Sequence, residues 1–235
     1  MNVSVNSWKR GLACGGLALA LLCALNLPAQ DKTRARRADR FDKGPKPGMA
    51  APDFELKSID GQTFRASALW SNQPIVIMTG SYSCPVFRGK TDSFEQLTHD
   101  FSNRVQFVVL YTQEAHPKGD PSPYRGKEWV TPANERAGIL LPQPRTIEER
   151  KGSAEKCAAA LRLSAPVIVD KMDNAAWKAY GSAPNSACLV GRGGKVIEWQ
   201  SWFDPAKMRE VIERHLAGQP DDAARPAGRP AQAEP

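Results

Sequence analysis

Cysteine is scarce in this chain, and its cysteines form no close pair in sequence. There are five among 235 residues. They are Cys14, Cys23, Cys84, Cys157 and Cys188. Phe87 stands three residues after Cys84, where the second cysteine of a C-x-x-C motif would be found. The absence of that motif excludes a dithiol reductase of the usual kind, and three cysteines after an N-terminal segment are no disulfide framework. The remaining possibilities for these cysteines are a free reactive thiol or one transient disulfide pair.

The chain also lacks an apolar run as long as the roughly 20 residues that a membrane-spanning helix needs. The longest candidate, residues 11–27, is almost continuously apolar and follows Lys9 and Arg10. It ends at the small-residue sequence 27–29, a plausible cleavage site. We therefore predict a signal peptide over residues 1–29, with an uncleaved N-terminal anchor as the alternative. Both predict an exported protein, in the periplasm or otherwise outside the cytoplasm.

Large apolar side chains are rare in the two segments that flank the rest of the chain. Residues 30–48 are rich in lysine and arginine and account for much of the formal charge of +7. Such a segment is typical of a solvated linker near a membrane rather than of a nucleic-acid-binding surface. Residues 218–235 are rich in proline, alanine and glycine. We predict a disordered leader, one folded domain over 49–217 and a disordered tail.

The sequence offers little for a metal ion. Asp170 and Asp173 lie close together, but no further ligand suited to a hard cation accompanies them. A simpler interpretation is that one of these carboxylates lies at the end of a strand and the other caps a helix. We predict no metal site.

What the sequence does contain is an alternation of apolar strands and amphipathic helices. The first half predicts a hairpin at 51–69, a strand at 75–79, a helix at 85–101, a strand at 105–111 and a long loop at 113–145. The second half predicts a helix at 146–163, a strand at 166–170, a short helix at 173–180, a hairpin of 187–190 with 195–200, and a helix from Pro205. A βαβ unit followed by a ββα unit indicates a thioredoxin-like α/β fold. Its central mixed β-sheet is flanked by helices, with an N-terminal β-hairpin and a long inserted loop.

Cys84 is the strongest candidate for chemistry, because GSYSCPVF at 80–87 joins a buried strand to a helix. Pro85 suits the first helical position, which makes Cys84 the N-cap. A thiolate there faces unpaired backbone N–H groups and the positive end of the helix dipole, so we expect a lowered pKa. Ser81 and Ser83 give the thiol polar neighbours. We predict Cys84 as the nucleophile, with Ser81, Ser83 and Pro85 supporting it.

Glu114 and His116 follow the second apolar strand, in YTQEAHP at 111–117. Sites form outside the carboxyl ends of parallel strands, so we expect both residues near Cys84. His116 can exchange a proton near pH 7, and Glu114 can orient it or hold a substrate hydroxyl. We predict both as catalytic residues, and we expect the loop at 113–145 to shape the pocket.

The other two cysteines of the predicted domain have simpler interpretations. Cys157 lies on the apolar face of a predicted helix, where core packing is expected, although it is also a candidate resolving thiol for Cys84. Cys188 lies within a strand and is expected in the core. Attack by Cys84 would give a sulfenic acid, a sulfenyl halide or a mixed disulfide, and each needs a thiol from elsewhere. We therefore predict an external thiol or a thioredoxin-like reductant as partner, and no bound cofactor.

Four segments resemble the iodothyronine deiodinase family of the thioredoxin-like superfamily. They are GSYSCPVF (80–87), YTQEAHP (111–117), ILLPQPRTIEER (139–150) and VDKMDNAAWKAYG (169–181). The resemblance runs from about residue 50 to 215 and implies a thioredoxin fold that removes iodide reductively from an aryl ring. It implies that Cys84 holds the place of the reactive selenocysteine or cysteine, with Glu114 and His116 as the family's acid and histidine. It also implies a small-molecule substrate and, because deiodinases are dimeric, a possible homodimer.

The chain departs from the family pattern at three positions. Cys84 replaces selenocysteine, Tyr82 stands where some members have a second cysteine, and Pro144 stands where a histidine is expected. A thiol is the weaker nucleophile near neutral pH, so any dehalogenation should be slower. We expect thiol redox chemistry on a small, aromatic substrate other than thyroid hormone.

Two alternatives remain open at this point. The first is a one-cysteine peroxiredoxin-like peroxidase, since Ser81 lies three residues before Cys84 as in a T/S-x-x-C site. Ile77 stands where that motif has a proline. The second is a non-catalytic binding module that holds an aromatic or peptide partner in the pocket of the fold.

Overall fold

The structure is a computed structural model that describes residues 43–218. The predicted signal peptide at 1–29, the leader as far as residue 42 and the tail from residue 219 lie outside the described residues. Within 43–218 we find no helix with the length and apolar character needed to cross a bilayer.

A seven-stranded mixed sheet forms the centre of the described region. Its strands are β1 Glu55–Ser58, β2 Thr63–Arg65, β3 Ile75–Gly80, β4 Gln106–Tyr111, β5 Val167–Val169, β6 Ala187–Val190 and β7 Val196–Gln200. Their spatial order is β2-β1-β5-β4-β3-β6-β7. The central strands β3, β4 and β5 are parallel, while β1 and β6 join them antiparallel on either side. The predicted fold class is confirmed.

Seven helices pack around this sheet within residues 43–218. They are α1 Ala66–Asn72, α2 Pro85–Arg88, α3 Thr91–Phe101, α4 Pro132–Ala137, α5 Ile147–Leu161, α6 Ala175–Ala179 and α7 Pro205–Ala217. Thr146 caps α5, because its hydroxyl accepts the N–H of Glu149 at 3.1 Å.

The alternation of side chains along each strand divides the core into two layers. Val76 and Met78 of β3 contribute to a layer that we call the front core, which includes Cys84 and apolar residues of α2, α3, α5 and α7. Ile75 and Ile77 contribute to the rear core, which is covered by α1 and α6. The sheet is covered on both faces, which explains why β3 is apolar over 75–78 and β4 over 107–110.

The predicted helix at 85–101 is wrong as one element, because the chain forms two helices there. After the single turn of α2, the N–H of Lys90 bonds to the carbonyl of Phe87 at 2.9 Å. The hydroxyl of Thr91 bonds to the carbonyl of Arg88 at 2.8 Å, where the second helix begins. The apolar spacing continues across this break, so the sequence pattern did not reveal it.

Three further details differ from the sequence-based expectation. Residues 66–69, expected in the hairpin, begin α1, and the long loop at 113–145 contains α4. The end of the predicted leader lies against the sheet, since the N–H of Gly48 bonds to the carbonyl of Val196 at 2.8 Å. Ordered structure therefore begins before the predicted domain boundary at residue 49.

Candidate active site

Cys84 caps the first turn after β3, as the sequence predicts. Its Sγ accepts the backbone N–H of Phe87 at an N–S distance of 3.4 Å, and Pro85 occupies the first helical turn. The N–H of Cys84 bonds to the carbonyl of Ser81 at 3.1 Å, which closes the loop between β3 and α2. The thiol is therefore fixed at the carboxyl end of β3.

The predicted lowering of the Cys84 pKa is wrong in this structure. The N–H groups of Phe87 and Val86 and the charge of Arg88 do favour the thiolate. Burial opposes them more strongly, because the residue is only 1% exposed, and it raises the pKa of Cys84 to about 11. The sequence indicated the hydrogen-bond donors near Cys84 but not the burial of its thiol. Because the pKa is about 11, Cys84 is a protonated thiol at neutral pH.

Glu114 lies beneath the Cys84 loop and holds it in place. Its Oε2 accepts the backbone N–H of Ser83 at 2.8 Å, and its Oε1 accepts the hydroxyl of Tyr111. The same Tyr111 oxygen accepts the N–H of Tyr82 at 3.1 Å. Burial raises the pKa of Glu114, while the bonds from Ser83 and Tyr111 act in the opposite direction. One carboxylate oxygen thus bonds to the loop directly and the other through Tyr111, and the negative charge of Glu114 raises the pKa of Cys84.

Ser81 and Ser83 join the Cys84 loop to the segment that carries Glu114 and His116. The Oγ of Ser81 accepts the N–H of Ala115 at 3.1 Å, and the Oγ of Ser83 accepts the N–H of His116 at 3.0 Å. The structure therefore brings together the predicted supporting and catalytic segments. These two backbone contacts fix their relative position.

His116 is oriented by the long loop. Its Nδ1 lies 3.1 Å from the carbonyl oxygen of Trp129, and because that oxygen can only accept, Nδ1 carries the hydrogen. The rings of His116 and Trp129 meet edge to face with centroids 4.2 Å apart, and Arg125 stacks on Trp129 at 3.7 Å. Burial lowers the pKa of His116, with the charge of Arg125 adding to the effect. The ring is therefore neutral at pH 7 and has a free lone pair on Nε2.

Sequence reasoning missed Arg88 and Asn134. The Arg88 guanidinium donates to the carbonyl of Tyr82 at 2.6 Å and to Oδ1 of Asn134 at 2.9 Å. Asn134 in turn donates from Nδ2 to the carbonyl of Ser83 at 2.8 Å. Arg88 could have been suspected as the cation one helical turn after Cys84. Asn134 gave no signal, because it belongs to α4 in the long loop.

The long loop at 113–145 closes over this region through Gln143. The side chain of Gln143 accepts the N–H of Glu114 at 2.7 Å and donates to the carbonyl of the same residue at 3.2 Å. The N–H of Gln143 donates to Asp120, which also forms an ion pair with Arg145. The loop therefore has a defined conformation around the site.

Cys157 and Cys84 both belong to the front core, whereas Cys188 belongs to the rear core. All three are free thiols. Burial raises the pKa of Cys157 and of Cys188, which makes both poor nucleophiles in this state. The resolving role of Cys157 stays a prediction.

The two carboxylates near the end of β5 act as caps. Asp170 accepts the N–H groups of Trp177 at 2.8 Å and Ala176 at 3.3 Å, and Asp173 accepts the N–H of Ala175 at 3.0 Å. Across residues 43–218, we find no group of three or more histidine, cysteine, aspartate or glutamate side chains that could hold a metal ion.

The sheet is mixed, with β3, β4 and β5 parallel, and one cysteine lies at the start of the helix that follows β3. These features define a thioredoxin-like protein without the second cysteine of dithiol reductases. The thioredoxin domain of a thiol-disulfide oxidoreductase from Bacteroides vulgatus shows this fold. It is 11% identical, has a TM-score of 0.52, and covers 73% of this chain and 99% of that one. The family model described as iodothyronine deiodinase matches residues 29–215, and the chain belongs to that family.

Two relatives illustrate the similarity. The type II iodothyronine deiodinase of Fundulus heteroclitus is 33% identical over 122 residues, which is 51% of this chain and 43% of that protein. The thyroxine 5-deiodinase of Gallus gallus is 28% identical over 184 residues, which is 72% of this chain and 66% of that protein. The chain thus spans roughly half to two thirds of the length of these relatives.

Proposed function

We propose that this chain is an exported, thiol-dependent oxidoreductase that carries out reductive dehalogenation, or related thiol redox chemistry, on a small aromatic substrate. The observation that carries the proposal is the single Cys84 thiol, which caps α2 in a loop held by Glu114 and by the backbone of His116. Family membership supports the type of chemistry. The apolar segment within residues 1–29 supports export.

His116 is the proposed proton carrier. The bond from Nδ1 to Trp129 leaves the Nε2 lone pair to accept a proton from the Cys84 thiol when the site opens to substrate. The buried thiol is otherwise protonated, so this transfer is needed before attack. Glu114 and Arg88 position the loop and set the charge around the sulfur.

The proposed reaction balances with thiols as the reductant. The Cys84 sulfur attacks the halogen of an aryl halide, the carbon–halogen bond breaks, and the proton held by His116 passes to the ring carbon. This leaves an arene and a sulfenyl halide on Cys84. One external thiol displaces halide and forms a mixed disulfide, and a second releases the Cys84 thiol together with an external disulfide. We propose a small thiol or a thioredoxin-like protein for this role.

Iodide release from 4-iodophenol, with dithiothreitol as the reductant, tests the proposal on the full chain. We expect release by the unaltered chain and loss of at least a hundredfold in Cys84→Ser, because Cys84 supplies the sulfur at the N-cap of α2. Cys188→Ser is the matched control and should keep full activity, since Cys188 lies in the rear core.

Three results would contradict the proposal. The first is the absence of iodide release by the unaltered chain. The second is iodide release that persists in Cys84→Ser. Peroxide consumption much faster than that of an ordinary free thiol, with no iodide release, would favour the peroxidase instead. The T/S-x-x-C site of such a peroxidase needs the hydroxyl of Ser81 near the sulfur. In this structure that hydroxyl instead accepts the N–H of Ala115.

A further inference from the structure

The long loop at 113–145 reaches the Cys84 region through one side chain of α4. Asn134 is the buried residue of this helix and is 0% exposed. A helix that packs on a domain usually buries apolar side chains. A buried asparagine in that place costs free energy unless its amide is hydrogen-bonded. The contacts of this amide therefore show what α4 contributes to the site.

Both ends of the Asn134 amide bond to the segment around Cys84. Its Nδ2 donates to the carbonyl oxygen of Ser83 at 2.8 Å, and that carbonyl belongs to the peptide bond that precedes Cys84. Its Oδ1 accepts Nη2 of Arg88 at 2.9 Å. A carbonyl oxygen only accepts and a guanidinium only donates, so these two partners fix which way round the amide lies. Asn134 thus joins the Ser83–Cys84 peptide to Arg88.

Arg88 follows Cys84 by one helical turn, and its guanidinium is held at two nitrogens. Its backbone N–H bonds to the carbonyl of Cys84 at 3.1 Å, which places the two residues on the same side of α2. Its Nη1 donates to the carbonyl of Tyr82 at 2.6 Å, while Nη2 donates to Asn134. The charge held in this way acts on Cys84 in favour of the thiolate.

Other titratable groups also surround Cys84 and Arg88. The negative charge of Glu114 opposes the thiolate, whereas the positive charge of Arg88 favours it. Burial lowers the pKa of His116, so Arg88 is the cation among these groups at neutral pH. The further groups that interact with Cys84 or Arg88 are Tyr82, Tyr124 and Cys157. The position of the Arg88 guanidinium therefore matters for the charge around the sulfur.

We propose that Asn134 is a positioning residue for the thiol chemistry of Cys84, because it holds the Arg88 guanidinium and the Ser83–Cys84 peptide in one fixed arrangement. Without the amide, one of the two nitrogens that hold the guanidinium loses its partner, and Arg88 can turn towards solvent. The thiolate then loses part of a nearby positive charge. The inference rests on the proposed function and adds a residue of the long loop to it.

The test is the rate at which iodoacetamide alkylates Cys84 in the full chain across neutral and mildly alkaline pH. The mass of the Cys84 peptide after digestion gives this rate. Only the thiolate reacts, so the rate at a given pH reports its population. We expect Asn134→Leu to react about three- to tenfold more slowly throughout this range, because a fixed opposite charge changes a pKa by about one unit or more and a mobile one by less.

Arg88→Gln and a double variant test whether Asn134 acts through Arg88. Glutamine keeps a donor for the carbonyl of Tyr82 but carries no charge, so Arg88→Gln should be slowed at least as much as Asn134→Leu. In the chain with both substitutions, we expect no slowing beyond that of Arg88→Gln, because the two residues act as one unit. Arg88→Gln stays informative if Asn134→Leu folds poorly.

Arg136→Gln is the matched control. Arg136 lies on the exposed side of the same helix as Asn134, so the substitution removes a charge of the same kind without touching the amide. This variant should keep the rate of the unaltered chain. Slowing equal to that of Arg88→Gln would mean that any positive charge on this side of the domain favours the thiolate, and it would overturn the proposal.

The proposal also fails under three other outcomes. The first is unchanged or faster alkylation in Asn134→Leu, which is expected if the amide only keeps the thiol buried. The second is an unchanged rate in Arg88→Gln. The third is further slowing when Asn134→Leu is added to Arg88→Gln. Alkylation needs no substrate, so absent iodide release contradicts the proposed function alone, and these outcomes contradict the role of Asn134 alone.

Discussion

The Cys84 thiol is subject to opposing effects at the scale of a single residue. A helix N-cap favours the thiolate through the N–H groups of Val86 and Phe87, and Arg88 adds a positive charge. Burial and the negative charge of Glu114 favour the thiol. The helix has only four residues, so its dipole is small, and loss of solvent dominates.

The pH dependence of Cys84 alkylation measures this balance. In a chain that begins at residue 30 and carries Cys157→Ser and Cys188→Ser, Cys84 is the remaining cysteine. We expect its rate to rise about tenfold per pH unit from neutral pH towards a midpoint of about 11, because only the thiolate reacts. Glu114→Gln should lower this midpoint, since it removes a negative charge but keeps an acceptor for the N–H of Ser83. Intact-mass measurement over time gives the rate.

Glu155→Gln provides the control for this experiment, because Glu155 lies on the exposed side of α5 and pairs with Lys151. It should leave the midpoint unchanged. If the alkylation rate instead reaches a plateau at a pH below about 8.5, the pKa of a free cysteine, then burial does not dominate the pKa of Cys84.

Single residues also show how far sequence reasoning reached into the site. Cys84, Glu114 and His116 were identifiable because each follows an apolar strand, and parallel strands end at one edge. The contact between Arg88 and Asn134 was not identifiable, since these two residues meet across 46 positions of sequence through the long loop. The direction of the Cys84 pKa was missed for a related reason: burial depends on every element around the thiol.

At the scale of elements, the position of α2 depends on Gly80 at the end of β3. An added Cβ would lie 2.0 Å from the ring of Phe87, which packs directly on the strand. We expect Gly80→Ala to destabilise the fold by about 1–3 kcal/mol, because the ring and its helix must move. Urea unfolding followed by tryptophan fluorescence measures the change.

Gly152→Ala makes the same chemical change where there is room. Gly152 lies within α5, and nothing lies within 4 Å of an added Cβ. We expect this variant to be more stable by about 1 kcal/mol, as alanine is the better helix former. Equal effects of the two substitutions would show that the Phe87 contact does not position α2.

At the scale of the whole domain, the segment that precedes β1 completes the sheet. The N–H of Gly48 bonds to the carbonyl of Val196, the N–H of Val196 to the carbonyl of Met49, and the N–H of Ala51 to the carbonyl of Gly194. The family model begins before this segment, at residue 29, which agrees with its inclusion in the fold.

Removal of that segment tests its contribution. A chain that begins at residue 52 should be less stable than one that begins at residue 43 by about 3 kcal/mol, since three backbone hydrogen bonds of about 1 kcal/mol each are lost. Thermal and urea unfolding of the two chains provide the comparison. Equal stability would mean that the contacts of 43–51 with β7 add nothing to the fold.

The sequence by itself determined the strand order along the chain, the cap at Cys84 and the approach of Glu114 and His116 to it. These follow from local patterns: apolar periodicity, proline after a cap, and polar residues at strand ends. Only the tertiary structure decided the break between α2 and α3, the protonation of Cys84, and the contact between Arg88 and Asn134. Those features depend on burial and on contacts between residues distant in sequence, which no local pattern records.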